Sequence, residues 1–141
     1  MKKNFLIKLM FLTILIFSTC PAFSKSKVEI LKVYDGDSAL AKIDKNIFRI
    51  RLVGIDCFEG TAGKRAKYQA KAFNKKESEI IEGGNIAGEI LRGELRRSSN
   101  KAEFEFYGID RYNRALGVLY VGKTNLNEKM LKTPYCAPYN P

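Results

Sequence analysis

Three segments near the start of the chain alternate between apolar and polar residues as β-strands do. Val28–Tyr34 and Ser38–Ile43 stand on either side of an Asp-Gly-Asp turn signal. Phe48–Leu52 alternates strictly, with apolar side chains at every second position and Arg49 and Arg51 between them. This period of two indicates a strand that buries one face and leaves the other polar.

The middle of the chain changes to helical patterns. Residues 60–76 contain six lysines and arginines, no acid, and enough alanine to give moderate helical character. We expect Gly83 and Gly84 to end this segment and Asn85 to cap a second helix. The second helix has an apolar stripe at helical spacing, formed by Ile86, Ala87, Ile90, Leu91 and Leu95.

The last third of the chain returns to strand patterns. Ala102–Tyr107 alternates, with Phe104 and Phe106 on one face, and Arg114–Val121 follows after a polar turn. Leu126–Lys132 has the pattern of a short helix. The order predicts a mainly β fold with helices (α+β). Its architecture is a five-stranded OB-fold Greek-key barrel, with a helical segment between strands three and four and a short C-terminal helix.

The first residues have the pattern of a secretory signal peptide. Two lysines precede the apolar run Leu9–Phe17, and a small-x-small cleavage site ends at Ser24. We expect a signal peptide over residues 1–24 and one domain over residues 25–141, exported to the periplasm or the extracellular space. The alternative is a membrane tether through residues 5–20, although the apolar run is short for a span of roughly 20 residues.

The charge of the chain is strongly positive. It has 25 Lys and Arg residues against 15 Asp and Glu, a formal net charge of +10. Such a surplus favours polyanionic partners by attraction to phosphates, and simple solubility is the alternative explanation. Cys57 and Cys136 remain after the predicted cleavage, and the sequence leaves open whether they pair in an oxidising compartment.

The chain contains no histidine. This excludes a histidine general base, a Ser-His-Asp triad and any histidine-ligated zinc, and two cysteines alone do not complete a typical zinc site. Any catalysis must therefore rest on carboxylates, arginine, lysine, tyrosine or a hard metal ion.

Three clusters contain residues of that kind at strand edges and adjoining turns, where functional groups are commonly presented. Taken singly, each has an ordinary explanation as a turn, a solvated strand face or a helix cap. Together they supply what phosphodiester cleavage needs. Carboxylates select a hard cation that polarises a phosphoryl oxygen, arginine matches two phosphate oxygens, and a further carboxylate, for which Glu59 is the natural candidate, deprotonates water. The clusters are Asp35–Asp37, Arg51–Glu59 and Asp110–Arg114.

The same clusters carry a resemblance to a known family. The tracts Val33–Ser38, Arg51–Glu59, Asp110–Arg114 and Leu126–Glu128 occur in the order and at the spacing of the staphylococcal nuclease (thermonuclease) family. The resemblance extends from about Val28 to Met130.

The resemblance implies a metal site and a base. Asp37 and Asp56 would bind Ca²⁺ through their side chains, and Cys57 through its backbone carbonyl. Glu59 would act as the general base that positions the attacking water. Asp35 matches the first acid of the motif but lies outside the ligand set.

The resemblance also implies how the substrate is held. Arg51 and Arg114 would bind the phosphate and stabilise the transition state. Tyr112 would lie beside the phosphate, and Arg111 is a neighbouring substrate-binding candidate.

The activity implied is that of a calcium-dependent endonuclease. Such an enzyme hydrolyses DNA and RNA with little sequence preference and leaves 3′-phosphate ends. The chain is expected to be a monomer without a stable protein partner, touching a membrane only through an uncleaved signal segment. The alternative is a catalytically weak or silent OB-fold module that binds nucleic acid.

Departures from the family pattern concern the surroundings of the site. Phe58 stands where the family usually has proline, and is expected to leave the loop that carries Glu59 less rigid. Asn113 replaces a glycine, a mild change because asparagine tolerates a left-handed backbone. The basic stretch Lys64–Lys76 is either a nucleic-acid track or a solvated helix face, and Tyr139 is either a stacking or a packing residue.

Overall fold

The computed structural model describes residues 24–140, so the predicted signal peptide lies outside the described residues except for Ser24. The strands and helices of the described part are β1 (Lys25–Val33), β2 (Ser38–Ile43), β3 (Asn46–Leu52), β4 (Ile55–Cys57), α1 (Lys64–Ala72), α2 (Glu77–Arg96), β5 (Lys101–Ile109), β6 (Ala115–Val121), β7 (Thr124–Asn125), α3 (Leu126–Leu131) and β8 (Cys136–Pro138).

Five of the strands close into a barrel. They pair in the order β3-β2-β1-β5-β6 through antiparallel ladders, and β3 then pairs with β6 in parallel. The closing pairs run from Ile50 opposite Ala115 to Leu52 opposite Gly117. The prediction of an α+β fold built on a five-stranded OB-type barrel is confirmed.

The barrel interior is filled by the apolar positions of the alternating strands. Ile50 and Leu52 from β3 and Leu119 from β6 are almost fully buried. Leu91 and Leu95 of α2 join the same cluster and cover one side of the barrel. Each such side chain contributes roughly 1.5–3 kcal/mol of hydrophobic stabilisation, which makes the scaffold beneath the polar clusters rigid.

The prediction that Gly83 and Gly84 interrupt the helical region is wrong. Both lie inside the continuous 20-residue helix α2, and Lys76 rather than Asn85 precedes its first residue. A side chain at Gly84 would collide with the backbone of Glu59, and a Cβ at Gly83 would lie 2.7 Å from the ring of Phe58. The glycines therefore let α2 approach the loop that follows β4, and the tight packing offsets their poor helix propensity of about 1 kcal/mol each.

A second small sheet ties the C-terminal segment to this loop. β4 pairs with β8 in antiparallel fashion, with Cys57 opposite Cys136, and the two cysteines form a disulfide. The backbone N–H of Tyr139 also donates to the carbonyl of Gly54. The sequence left the pairing of the cysteines open and did not predict these two short strands.

Among residues 24–140, no helix combines the length and apolar composition that crossing a membrane requires.

Candidate active site

Arg51 joins two of the predicted acidic residues. Its position on β3, opposite Ser38 of β2, brings it beside the turn that contains Asp37. One guanidinium nitrogen contacts Asp37, and Nη2 lies 3.0 Å from Oδ1 of Asp56. Asp37 is only 2% exposed, and its Oδ2 accepts the backbone N–H of Cys57. The first two sequence clusters therefore meet at one point.

The turn before β2 is organised by Asp35. Its Oδ1 accepts hydrogen bonds from the backbone N–H of Asp37 and from the hydroxyl of Ser38. Burial raises the pKa of Asp35, although the bonds from Ser38 and the charge of Arg51 oppose this effect. Asp35 therefore shapes the turn that presents Asp37.

A second arginine, Arg65 of α1, also contacts Asp56. Nη2 of Arg65 lies 2.6 Å from Oδ1 of Asp56, and its Nε lies 3.6 Å from Oε1 of Glu59. Sequence reasoning grouped Arg65 with the basic stretch and gave it no role in the site. The sequence feature that could have indicated a role in the site is the position of Arg65 on the segment that directly follows Glu59.

Gln69, also on α1, holds the loop between Asp56 and Glu59. It is 1% exposed. Its Oε1 accepts the backbone N–H of Glu59 at 2.9 Å, and its Nε2 donates to the carbonyl of Cys57 at 2.9 Å and to Oδ2 of Asp56 at 3.4 Å. Nothing in the sequence singled out this glutamine, because its role depends on the rotation of α1 against the loop.

The Phe58 that replaces the usual proline is anchored on two sides. It is buried, its backbone N–H donates to the carbonyl of Tyr135 at 2.8 Å, and its ring packs edge-on against Phe73 at 5.1 Å between centroids. With Gln69 holding the next peptide, the loop that carries Glu59 is restrained by contacts rather than by a proline ring.

The third cluster forms a turn that fixes Arg114. Oδ1 of Asp110 accepts the backbone N–H groups of Tyr112 and Arg114. Its Oδ2 accepts from Nε of Arg114 at 2.8 Å and lies 2.7 Å from Nη2. Asn113 has a left-handed backbone with φ of 58°, the conformation for which asparagine is suited. Arg49 of β3 donates to the carbonyl of Tyr112 at 3.0 Å and ties the turn to the barrel.

Desolvation acts to raise the pKa of Asp110, but hydrogen bonds from Arg114 and Tyr112 outweigh it and hold the pKa below its usual value. Asp110 is therefore ionised at neutral pH and orients Arg114 as a fixed ion pair.

The three clusters line one cleft of about 540 Å³. The predicted residues that line it are Asp37, Arg51, Glu59, Arg111, Tyr112 and Arg114, and they are joined by Asp35, Arg49, Arg65 and Tyr139. Asp56 is not among the lining residues but contacts two of them, Arg51 and Arg65, and Cys57 is buried. A larger cleft of about 770 Å³ at the opposite end of the barrel has Lys27 and Lys42 in its wall and none of the predicted residues.

Glu59 stands among charges that act on it in opposite directions. Partial burial raises its pKa, and the nearby carboxylate of Asp35 raises it further, while Arg65 lowers it. The pKa of Glu59 is above the ordinary value for a glutamate, which suits a group that must take up a proton from water.

Two acidic residues of the site, Asp37 and Asp56, have the oxygen donors that a divalent cation prefers. Within residues 24–140, no three His, Cys, Asp or Glu side chains converge as a ready-made metal site. Asp37 and Asp56 do contact the same guanidinium, so two hard oxygen donors face one cationic position. The carbonyl of Cys57 accepts one bond, from Gln69, and a carbonyl has a second lone pair. The chemistry of these donors fits Ca²⁺ or Mg²⁺.

Comparison with known proteins identifies a family that this chain resembles. The model of the family described as staphylococcal nuclease homologue matches residues 49–140. A thermonuclease of Staphylococcus hyicus is 24% identical over 104 residues, covering 74% of this chain and 54% of that protein. A Haemophilus influenzae protein named as an uncharacterized endonuclease is 30% identical over 123 residues, covering 84% of this chain and 57% of that protein. The chain thus spans about half the length of these relatives.

Proposed function

Because the chain belongs to the family of staphylococcal nuclease homologues, we propose that it is a calcium-dependent endonuclease that hydrolyses DNA and RNA with little sequence preference. The observation that carries the proposal is the single cleft in which two arginines from separate strand edges, Arg51 and Arg114, stand beside Glu59. Arginines bind phosphate and stabilise its developing charge, and a carboxylate acts as the base, so this cleft supplies groups that phosphodiester hydrolysis uses without histidine.

Glu59 is the general base of the proposed reaction. One of its oxygens takes a proton from a water molecule as the water oxygen bonds to phosphorus. The bond from phosphorus to the 5′ oxygen breaks, and that oxygen takes up a proton from solvent and leaves as a 5′-hydroxyl. Gln69 accepts the backbone N–H of Glu59, and the preceding N–H of Phe58 is bound to Tyr135, so the backbone that leads to the carboxylate is held before substrate arrives. Such positioning lowers the entropic part of the activation barrier of the reaction.

Arg51 and Arg114 bind the phosphate and stabilise the charge that develops on its oxygens. Asp110 engages Nε and Nη2 of Arg114, so the guanidinium is oriented and Nη1 lies outside this ion pair. Arg51 is held by Asp37 and Asp56. Tyr112 and Arg111 line the same cleft and are the proposed neighbours of the substrate backbone.

Asp37 and Asp56, with the carbonyl of Cys57, are the proposed ligands of Ca²⁺. A bound calcium ion would polarise a phosphoryl oxygen and neutralise part of the developing negative charge. A cation on the two carboxylates would also compete with Arg51 for them, which would free the guanidinium to turn to the phosphate.

We also propose that the protein is exported and that it leaves 3′-phosphate ends. The basic and apolar pattern of residues 1–24 supports export. The disulfide between Cys57 and Cys136 suits an oxidising compartment such as the periplasm or the cell exterior.

The decisive experiment is a digest of plasmid, single-stranded DNA and RNA with purified protein, in calcium and in excess chelator. We expect cleavage in calcium alone, and products whose 3′ ends a polymerase extends only after phosphatase treatment. Glu59→Gln is expected to lower turnover by roughly 10²–10⁴-fold because the base is lost. Glu82→Gln on the exposed side of α2 is the matched control and should keep full activity.

Two results would count against the proposal. Binding of oligonucleotides without cleavage in calcium would identify a silent nucleic-acid-binding module. Equal turnover by wild type and Glu59→Gln would show that another group acts as the base.

A further inference from the structure

Helix α1 presents a basic face that no acid neutralises. Lys64, Lys67 and Lys71 are exposed, and within residues 24–140 none of them forms an ion pair. The first turn of the helix contains no acidic residue. Tyr68 lies on the same face, 66% exposed.

The geometry of α1 makes this face continuous with the cleft. At about 100° per residue, the buried residues Ala66, Gln69 and Ala70 define the side that packs inward, and the lysines lie opposite. Arg65 stands between the two sides and reaches Asp56 at 2.6 Å. The path from the catalytic cleft to the lysines therefore runs over Arg65 without an intervening acidic side chain on the helix.

From this continuity we propose that α1 is a binding track for single-stranded nucleic acid, which extends the catalytic cleft by the length of the helix, roughly 14 Å for nine residues. Lysines bind successive phosphates of the strand, and Tyr68 supplies a surface for stacking a base. The inference rests on the proposed nuclease function, since it describes how a long substrate is held as it leaves the site.

A strand of nucleic acid fits this face better than a lipid surface does. A basic amphipathic helix that lies on a membrane inserts its apolar side. The inward side of α1 is packed against α2 in a cluster with Phe58 and Ile80, so it is not available to lipid. What remains exposed is positive charge with one aromatic ring, the combination typical of single-strand binding.

The test compares two variants with the same change of net charge. The first is Lys64→Gln, Lys67→Gln and Lys71→Gln together. The second replaces Lys27, Lys45 and Lys123 by glutamine, at the opposite end of the barrel strands from the cleft. The affinity of a labelled single-stranded 20-mer is measured in chelator, to prevent cleavage, at several salt concentrations.

We expect the α1 variant to bind the 20-mer at least tenfold more weakly than wild type. The slope of log affinity against log salt should fall by about 2, since each phosphate contact contributes roughly 0.7 for a single strand. The control variant should keep the wild-type slope. Equal losses in both variants would show that only net charge acts, and would overturn the track.

The variant Tyr68→Ala distinguishes the binding of a single strand from the binding of a duplex. It should weaken the single-stranded 20-mer by about tenfold and leave a duplex of the same length unaffected. Equal weakening of both would contradict the single-strand assignment. Binding of anionic phospholipid vesicles that is lost in the α1 variant, with oligonucleotide affinity unchanged, would assign the face to a membrane and overturn the track.

Failure of this inference is distinguishable from failure of the proposed function. If wild type cuts the 20-mer in calcium while both triple variants bind alike, the track is wrong and the nuclease remains. If binding depends on α1 as expected but nothing is cut in calcium, the nuclease proposal fails and the track remains.

Discussion

Glu59 owes its chemical character to its burial and to charged neighbours from other segments of the chain. Desolvation and the carboxylate of Asp35 raise its pKa, whereas Arg65 lowers it. Arg65 lies 3.6 Å from Oε1 of Glu59 and also contacts Asp56. The helix α1 thus adjusts the pKa of the proposed base as well as flanking the cleft.

These opposing effects give a pH prediction. A base acts only when deprotonated, so kcat/KM should rise with pH through an apparent pKa above that of an ordinary glutamate. Arg65→Gln removes the larger of the two arginine charges that lower the pKa of Glu59, the other being that of Arg51. The rising limb of the pH profile should therefore move to higher pH in this variant, because less stabilisation of the charged carboxylate remains.

The matched control is Arg96→Gln, which removes an exposed arginine that pairs with Glu89 on α2. Its rate profile should coincide with that of wild type. A rising limb that stays in place when Arg65 is replaced, or one that moves to lower pH, would show that Glu59 is not the titrating base.

For single residues, the sequence predicted which side chains lie on strands and at their edges. The polar face of β3, which carries Arg51, was foreseeable from a period of two, and Arg51 and Glu59 were singled out as candidates by the motifs that resemble the nuclease family. Gln69 and Arg65 were not, because their contacts depend on how α1 rotates and packs after the loop.

Among the elements, α2 shows why a local rule failed. Two adjacent glycines usually mark a helix end, since each lacks a side chain and costs conformational entropy. Here they sit where the loop carrying Phe58 and Glu59 crosses the helix. Close packing of backbone against backbone is a tertiary requirement, and a pattern read along one segment does not contain it.

The strand β8 and its disulfide form the second support of that loop. Cys136 bonds to Cys57, and the carbonyl of Tyr135 accepts the N–H of Phe58. The bridged residues are separated by 79 positions. In the chain-entropy model a loop of that size stabilises the folded protein by about 4 kcal/mol, by restricting the unfolded chain.

Reduction should therefore destabilise the protein and release the loop. We expect dithiothreitol to lower the free energy of unfolding by about 4 kcal/mol in urea titrations. The variant Cys136→Ala should start near that lower value and respond no further to the reductant. Identical midpoints of wild type with and without dithiothreitol would contradict this role, and the variant separates bridge loss from any other effect of the reductant.

Over the whole molecule, closure of the barrel depends on a short contact. The parallel pairing of β3 with β6 spans three residue pairs, from Ile50 opposite Ala115 to Leu52 opposite Gly117. Arg51 lies on β3 and Arg114 directly before β6, so the same closure brings together the two arginines that are proposed to bind phosphate. The sequence predicted the order of strands, but the parallel register joining them follows from the closed barrel.

Asn127 of α3 locks this closure. It is buried, its Oδ1 accepts the N–H of Leu119 at 3.1 Å, and its Nδ2 donates to the carbonyls of Val53 at 2.9 Å and Gly117 at 3.2 Å. The side chain therefore connects the end of β3, the strand β6 and the helix α3. Its amide satisfies backbone groups that the short β3–β6 ladder leaves over.

Replacement of this amide tests whether the closure is held at that point. Asn127→Leu has nearly the same shape but leaves the N–H of Leu119 and the carbonyl of Val53 buried without a partner. Each unsatisfied group costs about 1–3 kcal/mol, so the free energy of unfolding should fall by roughly 2–6 kcal/mol. The control is Asn125→Ala in the same segment, which removes two exposed hydrogen bonds to Glu128, the cap on its N–H and the bond from Nδ2 to its Oε1, and should cost about 1 kcal/mol. A loss at Asn127 no larger than at Asn125, measured by urea titration, would show that the barrel closes without this amide, and that the spacing of Arg51 and Arg114 depends on the strands alone.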